Sequence, residues 1–189
     1  KEFCAEASTK AVVVIDEAYL EFLEAPDNES MTTMIEKHPN VLVVGTFSKL
    51  HGMAGLRVGY LIGHPTLMRQ LEQSYFGSTQ NCVSNLSLAA ALASLKDETH
   101  RAESRKKNAL ARSYAHDELK KMGFHLYPSY TNFLFFQVDK FPGDMAQEML
   151  KHGILVRSNS YSDGKWCRAS VGTLDEMKEF ISTLKSGVA

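Results

Sequence analysis

Two short apolar runs rich in β-branched residues constrain the fold of this chain more than any other feature. Residues 11–15 read Ala-Val-Val-Val-Ile, and residues 41–44 read Val-Leu-Val-Val. Continuous runs of this kind are typical of strands buried on both faces, as in parallel sheets. A third strand is predicted over residues 56–62. The first part of the chain, up to about residue 95, is therefore predicted to be α/β.

From about residue 96 the pattern changes to α+β. A long charged helix is predicted over residues 97–122, ended by a glycine at position 123. Residues 173–176, Thr-Leu-Asp-Glu, form a capping-box pattern that opens a last amphipathic helix. Between these helices we predict a helix near 143–151 and short strands at 124–127, 132–138, 154–156 and 167–171. We therefore predict two domains, residues 1–95 and 96–189, with the helix 97–122 as a bridge.

Composition excludes several classes of function. The 189 residues include 21 Lys and Arg and 22 Asp and Glu, a net charge of -1 that argues against nucleic-acid binding. No apolar run approaches the roughly 18 residues needed to span a membrane. The histidines and the cysteines (Cys4, Cys82, Cys167) show no metal-ligand or disulfide spacing, so no metal is predicted. The default location is cytoplasmic.

Residues 46–60 place reactive side chains directly after the second strand. In open α/β sheets, ligands bind beyond the carboxyl ends of the strands. Lys49 would be partly desolvated there, which favours a nucleophilic amine. Thr46, Ser48 and Arg57 are suited to bind an anion. The alternative is a surface loop in which Lys49 and Arg57 are solvated.

A second reactive segment, Asp16-Glu17-Ala18-Tyr19, follows the first strand. A carboxylate at the end of a buried strand needs a partner to offset its desolvation, and a protonated ring nitrogen of a cofactor would be such a partner. The alternative is a turn or N-cap aspartate. The chain also starts at Lys1 and reaches this strand within about ten residues, so we expect a fragment of a longer polypeptide.

These blocks together resemble the signature of fold-type I pyridoxal-phosphate aminotransferases of class I/II. The blocks are Asp-x-x-Tyr at 16–19, Thr-x-Ser-Lys at 46–49 and Gly-Leu-Arg-x-Gly-Tyr at 55–60, and the wording is closest to the histidinol-phosphate aminotransferase branch. The resemblance covers nearly the whole chain. It implies part of a large cofactor domain, with a mixed, mostly parallel sheet, and a complete α+β small C-terminal domain. The missing N-terminal half would lie on the same or another chain.

The resemblance also implies roles for individual residues. Lys49 would form a Schiff base with the aldehyde of pyridoxal 5'-phosphate and then move a proton on the substrate. Asp16 would pair with the ring nitrogen, and Tyr19 would donate a hydrogen bond to the ring's phenolic oxygen. Thr46, Ser48 and Arg57 would bind the cofactor phosphate. His51 stands where the family usually has an aromatic residue, and we expect it to support the site rather than to act as a base.

A second anion site is implied in the C-terminal part. Arg168, in the Arg-x-Ser-x-Gly block, would bind a substrate carboxylate or phosphate with help from Arg157. For Arg157 the alternative is an exposed arginine at a strand end. A solvated helix face is predicted for the charge cluster at residues 101–107.

The implied reaction moves an amino group from a donor such as glutamate to a 2-oxo or phosphate-ester acceptor. Histidinol phosphate with imidazole acetol phosphate is the first candidate pair. An aromatic or other amino acid, and decarboxylation of an amino-acid phosphate, are the alternatives. The family resemblance implies a homodimer. The contrasting hypothesis is a truncated chain that is inactive on its own.

Overall fold

The structure is a computed structural model that describes residues 1–76 and 83–188. Cys82 therefore lies outside the described residues. The chain divides into two compact units, Lys1–Ala102 and Glu103–Ala189. Each unit has its own three-stranded sheet, and each is described by itself below.

The first unit is built on a mixed sheet with the strand order β1-β2-β3. The strands are β1 (Val13–Asp16), β2 (Val41–Thr46) and β3 (Gly59–Gly63). β1 and β2 are parallel, whereas β2 and β3 are antiparallel. The central strand is the most buried, because Val41 and Val43 pack under β1 and against Ile35. The predicted α/β character is confirmed.

Two predictions about these strands are wrong in detail. β1 is not buried on both faces, since Val12 and Val14 are 50% and 60% exposed while Val13 and Ile15 face the core. A strand is buried on both faces only when a packed layer covers each face, and β1 has one such layer. β3 begins at Gly59 rather than at residue 56, because residues 54–56 form a 3-10 turn.

Four helices and several short helical turns complete the first unit. The helices are α1 (Glu2–Ser8), α2 (Pro26–Glu29), α3 (Pro65–Leu71) and α4 (Asn85–Lys96). The 3-10 turns are Leu20–Phe22, Met31–Met34 and Ala54–Leu56, and a π turn covers Glu72–Phe76. Proline at the first position of α3 is as the sequence predicts, because its fixed φ suits a helix start.

The long charged helix α5 (Glu98–Lys121) agrees with the prediction to within one residue at each end. The boundary between the two units falls inside its residue range. Gly123 follows it with a φ of 82°, a left-handed conformation that a residue with a side chain adopts only at a cost.

The second unit has an antiparallel sheet with helices packed on one face. Its strands are β4 (Phe133–Gln137), β5 (Arg157–Tyr161) and β6 (Gly164–Ser170), in the order β4-β6-β5. The helices that follow α5 are α6 (Met145–Lys151) and α7 (Leu174–Val188). The core lies between the inward residues of β4 and β6 and these helices, with Leu119, Leu134, Phe136, Leu184 and Cys167 fully buried.

The capping box at the start of α7 forms as predicted. The Thr173 hydroxyl oxygen accepts a hydrogen bond from the Glu176 amide at 3.3 Å, and Oε2 of Glu176 accepts one from the Thr173 amide at 2.6 Å. The Thr173 amide and the Thr173 hydroxyl both donate to the Glu176 carboxylate, and these two bonds lower the pKa of Glu176. The strands predicted at 154–156 and 124–127 are wrong. The first begins only at Arg157, and the second is reduced to a single bridge between Leu126 and Phe136.

The buried thiol of Cys167 is predicted to be inert. Its side chain has no solvent exposure, and burial raises its pKa to about 12. Thiolate is the reactive form, so the folded protein should not react at this position at neutral pH. In a Cys82→Ser background, we expect a colorimetric thiol reagent to modify Cys4 quickly and Cys167 only after denaturation. Fast modification of two thiols in the native protein would contradict this.

Candidate functional site

The reactive residues of the first unit meet at one edge of its sheet. β1 ends at Asp16 and its parallel neighbour β2 ends at Thr46, so both carboxyl ends reach the same edge. β3 is antiparallel and begins there, because Gly59 pairs with Thr46. Lys49 therefore follows one of these strand ends, and Arg57 lies just before the start of β3. The structure brings the six predicted cofactor residues to a common edge.

The Lys49 side chain lies on a tight turn that its own backbone closes. The Gly52 amide donates to the Lys49 carbonyl at 3.0 Å, and the Met53 amide donates to the Phe47 carbonyl at 2.9 Å. The Thr46 hydroxyl oxygen accepts from the Ser48 amide at 3.1 Å. Nζ of Lys49 lies 5.3 Å from the centre of the Tyr19 ring, within the range of a cation–π contact. The structure thus places Lys49 and Tyr19 side by side.

Asp16 is held by a local turn and is exposed. Its Oδ1 accepts a hydrogen bond from the Ala18 amide at 2.9 Å, which makes an Asx turn. In the described residues the Asp16 carboxylate is exposed, because β1 is covered on only one face, and its pairing with a cofactor stays a prediction. The turn directs the chain from Asp16 to Tyr19, so both side chains lie at the edge where Lys49 lies.

Arg57 has an unusual backbone conformation. With φ 51° and ψ 49° it is the one residue other than glycine that has a positive φ in the described part of the chain. Such a conformation costs about 1–3 kcal/mol for a residue with a side chain, and strain of this kind clusters at functional sites. Its Nη1 donates to the Ala54 carbonyl at 2.9 Å, which ties the side chain back over the turn.

The structure explains why one position of this segment is a glycine, which the sequence did not reveal. A Cβ at Gly59 would lie 2.8 Å from the carbonyl oxygen of Gly45. Gly59 therefore allows β3 to approach β2 closely. At Gly59 it is the neighbouring strand that requires the space.

The two predicted anion-binding arginines lie in the second unit on one face of its sheet. Arg157 of β5 is directly opposite Arg168 of β6 in the antiparallel register. Directly opposite residues project on the same face, and like charges in this position destabilise the sheet in the absence of a counter-charge. A shared anion would supply such a counter-charge, and this role of the pair stays a prediction. Arg157 is exposed at the first residue of β5, so the alternative of an exposed strand-end arginine stays open.

Phe133 is a contact of Arg168 that sequence reasoning missed. The Arg168 guanidinium carbon lies 4.1 Å from the centre of the Phe133 ring, a close cation–π distance. The signal available in the sequence was alternation in β4, which places Phe133 and Phe135 on the face opposite the core residues Leu134 and Phe136. The Phe133 ring therefore forms part of the surroundings of the Arg168 guanidinium.

The described residues lack two other kinds of feature. Over residues 1–76 and 83–188, no group of three or more His, Cys, Asp or Glu side chains is placed to hold a metal ion. Within the same ranges, no helix is both long enough and apolar enough to cross a membrane.

Comparison with known families decides to which group the chain belongs. Residues 2–184 match the family model described as aminotransferase class I and II. The chain belongs to this family. The resemblance found in the sequence is confirmed, and it extends over nearly all the residues of this aminotransferase chain.

Curated relatives of this aminotransferase chain include histidinol-phosphate aminotransferases. The one from Chromohalobacter salexigens is 35% identical over 185 residues, which cover 96% of this chain and 51% of the relative. The one from Methanothermobacter thermautotrophicus is also 35% identical and is covered to 48% of its length. The chain thus spans about half the length of the curated relatives it matches.

Solved structures give the same picture. A putative histidinol-phosphate aminotransferase from Erwinia carotovora atroseptica superposes with a TM-score of 0.85 at 31% identity, over 98% of this chain and 53% of that one. A histidinol-phosphate aminotransferase from Sinorhizobium meliloti, solved in complex with pyridoxal-5'-phosphate, gives 0.79 at 27% identity over 96% and 49%. The predicted fold class, a partial aminotransferase fold of mixed α/β content, is confirmed.

Proposed function

We propose that these residues belong to a pyridoxal-phosphate-dependent aminotransferase that acts on histidinol phosphate. The observation that carries the proposal is the shared sheet edge, where a lysine amine lies beside a tyrosine ring and where the strand that ends at Asp16 also arrives. The sequence relatives named above support the substrate. We further propose that residues 1–95 are the second half of a large cofactor domain and that residues 96–189 are a small C-terminal domain.

The donor set at this edge fits the chemistry of pyridoxal phosphate. The cofactor has an aldehyde, a ring nitrogen, a phenolic oxygen and a phosphate. The edge offers an amine, a carboxylate, a phenol, two hydroxyls and a guanidinium, one partner type for each group. When bound, pyridoxal phosphate would supply an electron sink for the electron pair released at the substrate Cα.

The side chains of this protein would bind and orient the cofactor and transfer the proton. Lys49 Nζ would bind the aldehyde carbon and later carry a proton to and from the substrate Cα. The Asp16 carboxylate would hold a proton on the ring nitrogen, and Tyr19 would orient the ring. The phosphate would be bound by Thr46, Ser48 and Arg57.

The arginine pair supports a substrate that carries an anionic group such as a phosphate ester. A phosphate ester has enough charge and acceptor oxygens to bridge Arg157 and Arg168, whereas a neutral side chain has neither. A phosphate-bearing amino acid could also be decarboxylated at such a site, and this is the second candidate function. An aromatic amino acid is less well suited, because it would leave the charge of Arg157 without a partner.

The first experiment is a visible absorption spectrum of the complete gene product that contains these residues. If the proposal holds, adding pyridoxal phosphate gives a visible absorption band. Borohydride reduction removes the band and leaves the reduced cofactor attached to Lys49. Absence of any band at saturating cofactor would refute the enzyme proposal.

A substitution of Arg157 tests the substrate. We expect Arg157→Ala to raise KM for histidinol phosphate by about tenfold to a hundredfold, because a charge-assisted hydrogen bond is worth about 1.5–3 kcal/mol. KM for an aromatic amino acid should change little. Arg105→Ala is the matched control in the same unit. Equal effects on both substrates would contradict the phosphate assignment, and release of CO2 in place of amino transfer would favour the decarboxylase.

We also propose that the complete protein is a cytoplasmic homodimer. Large apolar side chains are exposed on the first unit, among them Leu86 and Leu92 of α4, which are 81% and 61% exposed. Exposed apolar side chains are typical of surfaces that another chain or segment covers. Light scattering of the complete gene product would test the proposal, and a monomer at micromolar concentration would refute it.

A further inference from the structure

A buried histidine lies beneath the proposed cofactor site, with both ring nitrogens in contact with polar groups. The His51 side chain is only 1% exposed. Its Nδ1 lies 2.7 Å from the Ser94 hydroxyl oxygen of α4, and its Nε2 lies 3.0 Å from Oε2 of Glu21. Buried polar groups are stable only when hydrogen-bonded, so these two contacts fix the orientation of the ring.

The chemistry of the partners sets the direction of each bond. A carboxylate has no proton to donate, so Nε2 donates to Glu21. Nδ1 of a neutral ring then accepts from the Ser94 hydroxyl. Arg101 also lies near this carboxylate, with its Nη1 3.9 Å from Oε1 of Glu21. The Phe47 ring packs on the imidazole at a centroid distance of 4.8 Å.

The positions of these residues along the chain indicate what the hydrogen-bond network connects. His51 follows Lys49 by two residues on the same closed turn, and Glu21 follows Tyr19 by two residues in the 3-10 turn Leu20–Phe22. The bond between His51 and Glu21 therefore connects the two turns that carry Lys49 and Tyr19. The same two turns carry the Lys49 amine and the Tyr19 ring, which lie 5.3 Å apart.

We infer that His51 is a positioning residue that, through Glu21, fixes Lys49 relative to Tyr19. This inference rests on the proposed function, because the distance between the two side chains matters only if both contact one cofactor. The lysine amine lies at the end of a flexible four-carbon chain. The position of the turn that carries Lys49 therefore sets the region that the amine can reach. A misplacement of about 1 Å can lower a rate by about a hundredfold. The buried hydrogen bond limits such a shift.

The test uses substitutions at both ends of the bond. His51→Phe keeps a ring of similar size and removes the hydrogen bonds, while Glu21→Ala removes the acceptor. Each should lower kcat about tenfold with little change in KM, since binding of substrate is not affected. Each should also shift the pH midpoint of the visible band of bound pyridoxal phosphate. The double variant should be no worse than either single variant.

Two further variants separate positioning from a general structural role. Glu21→Gln retains an oxygen that accepts from Nε2, so it should restore most of the kcat and the band midpoint that Glu21→Ala loses. His38→Phe is the matched control, because His38 is a partly buried histidine in the same unit whose Nδ1 lies 3.4 Å from the Ser8 hydroxyl. It should leave both readouts unchanged.

The outcomes distinguish this inference from the proposed function. If the unsubstituted protein shows no visible band with pyridoxal phosphate, the proposed function fails first. If the band forms and His51→Phe or Glu21→Ala keeps the normal midpoint and kcat, positioning by His51 is refuted while the function stands. Equal effects of His38→Phe, or additive effects in the double variant, would also refute it. Should His51→Phe fail to fold, the pair Glu21→Ala and Glu21→Gln decides the question.

Discussion

Replacing Lys49 with alanine is expected to abolish both cofactor attachment and turnover. The Lys49 amine lies at the Tyr19 ring, and a water molecule cannot form the same covalent link. A positioned acid–base group contributes about 10²–10⁴-fold to a rate, and this lysine would serve in addition as the attachment point. We therefore expect kcat of the complete gene product to fall by about 10³-fold or more.

The measurement combines steady-state kinetics with the borohydride-sensitive visible band. Lys49→Arg is the informative companion, because it keeps the positive charge near Tyr19 but cannot attach an aldehyde reversibly. It should be as inactive as Lys49→Ala. Lys37→Ala, at an exposed lysine before β2, should leave the band and the rate unchanged. Activity of Lys49→Ala above one tenth of the unsubstituted rate would remove Lys49 from the proposed chemistry.

Substitution of Asp16 with alanine should have the second largest effect. The carboxylate is proposed to keep the cofactor's ring nitrogen protonated, which is what makes the ring an electron sink. Loss of one such electrostatic partner costs about 10²–10³-fold in kcat by analogy with other preorganised sites. The phosphate would still be bound by Thr46, Ser48 and Arg57. We therefore expect much of the cofactor to remain bound while turnover falls.

The exposure of Asp16 makes this prediction a sharp test. In the described residues the side chain is exposed and bonded only to the turn at Ala18, so a structural aspartate would behave differently from a cofactor ligand. Asp16→Asn keeps the Asx turn and removes the charge. If the turn is what matters, Asp16→Asn is active. If the charge matters, Asp16→Asn is as slow as Asp16→Ala. Asp27→Ala is the control variant and should keep the unsubstituted rate.

Local patterns predicted much of the secondary structure. The charged helix, the proline start of α3 and the capping box of α7 depend on residues close in sequence, so they could be read directly. The strand predicted at 154–156 failed for a tertiary reason. β5 begins at Arg157 because its register is set by pairing with β6, and a pairing partner cannot be identified from one segment alone.

The charged residues show the same difference between local patterns, which the sequence reveals, and tertiary contacts, which it does not. A solvated helix face was predicted for residues 101–107, but the Arg101 side chain is only 25% exposed and faces Glu21. Eighty residues separate the two, and no local pattern indicates that pairing. His51 was expected to support the site, whereas its contacts with Glu21 and Ser94 emerged only from the fold.

The sequence by itself determined the family and the set of reactive side chains. The three short blocks at 16–19, 46–49 and 55–60 need only residue identity and spacing to be recognised. Only the tertiary structure decided that these blocks share one sheet edge, that Arg157 faces Arg168, and that a buried histidine connects the Lys49 and Tyr19 turns. The physical reason is that strand pairing and side-chain burial join residues far apart in the chain, and their distances are fixed only when the whole unit packs.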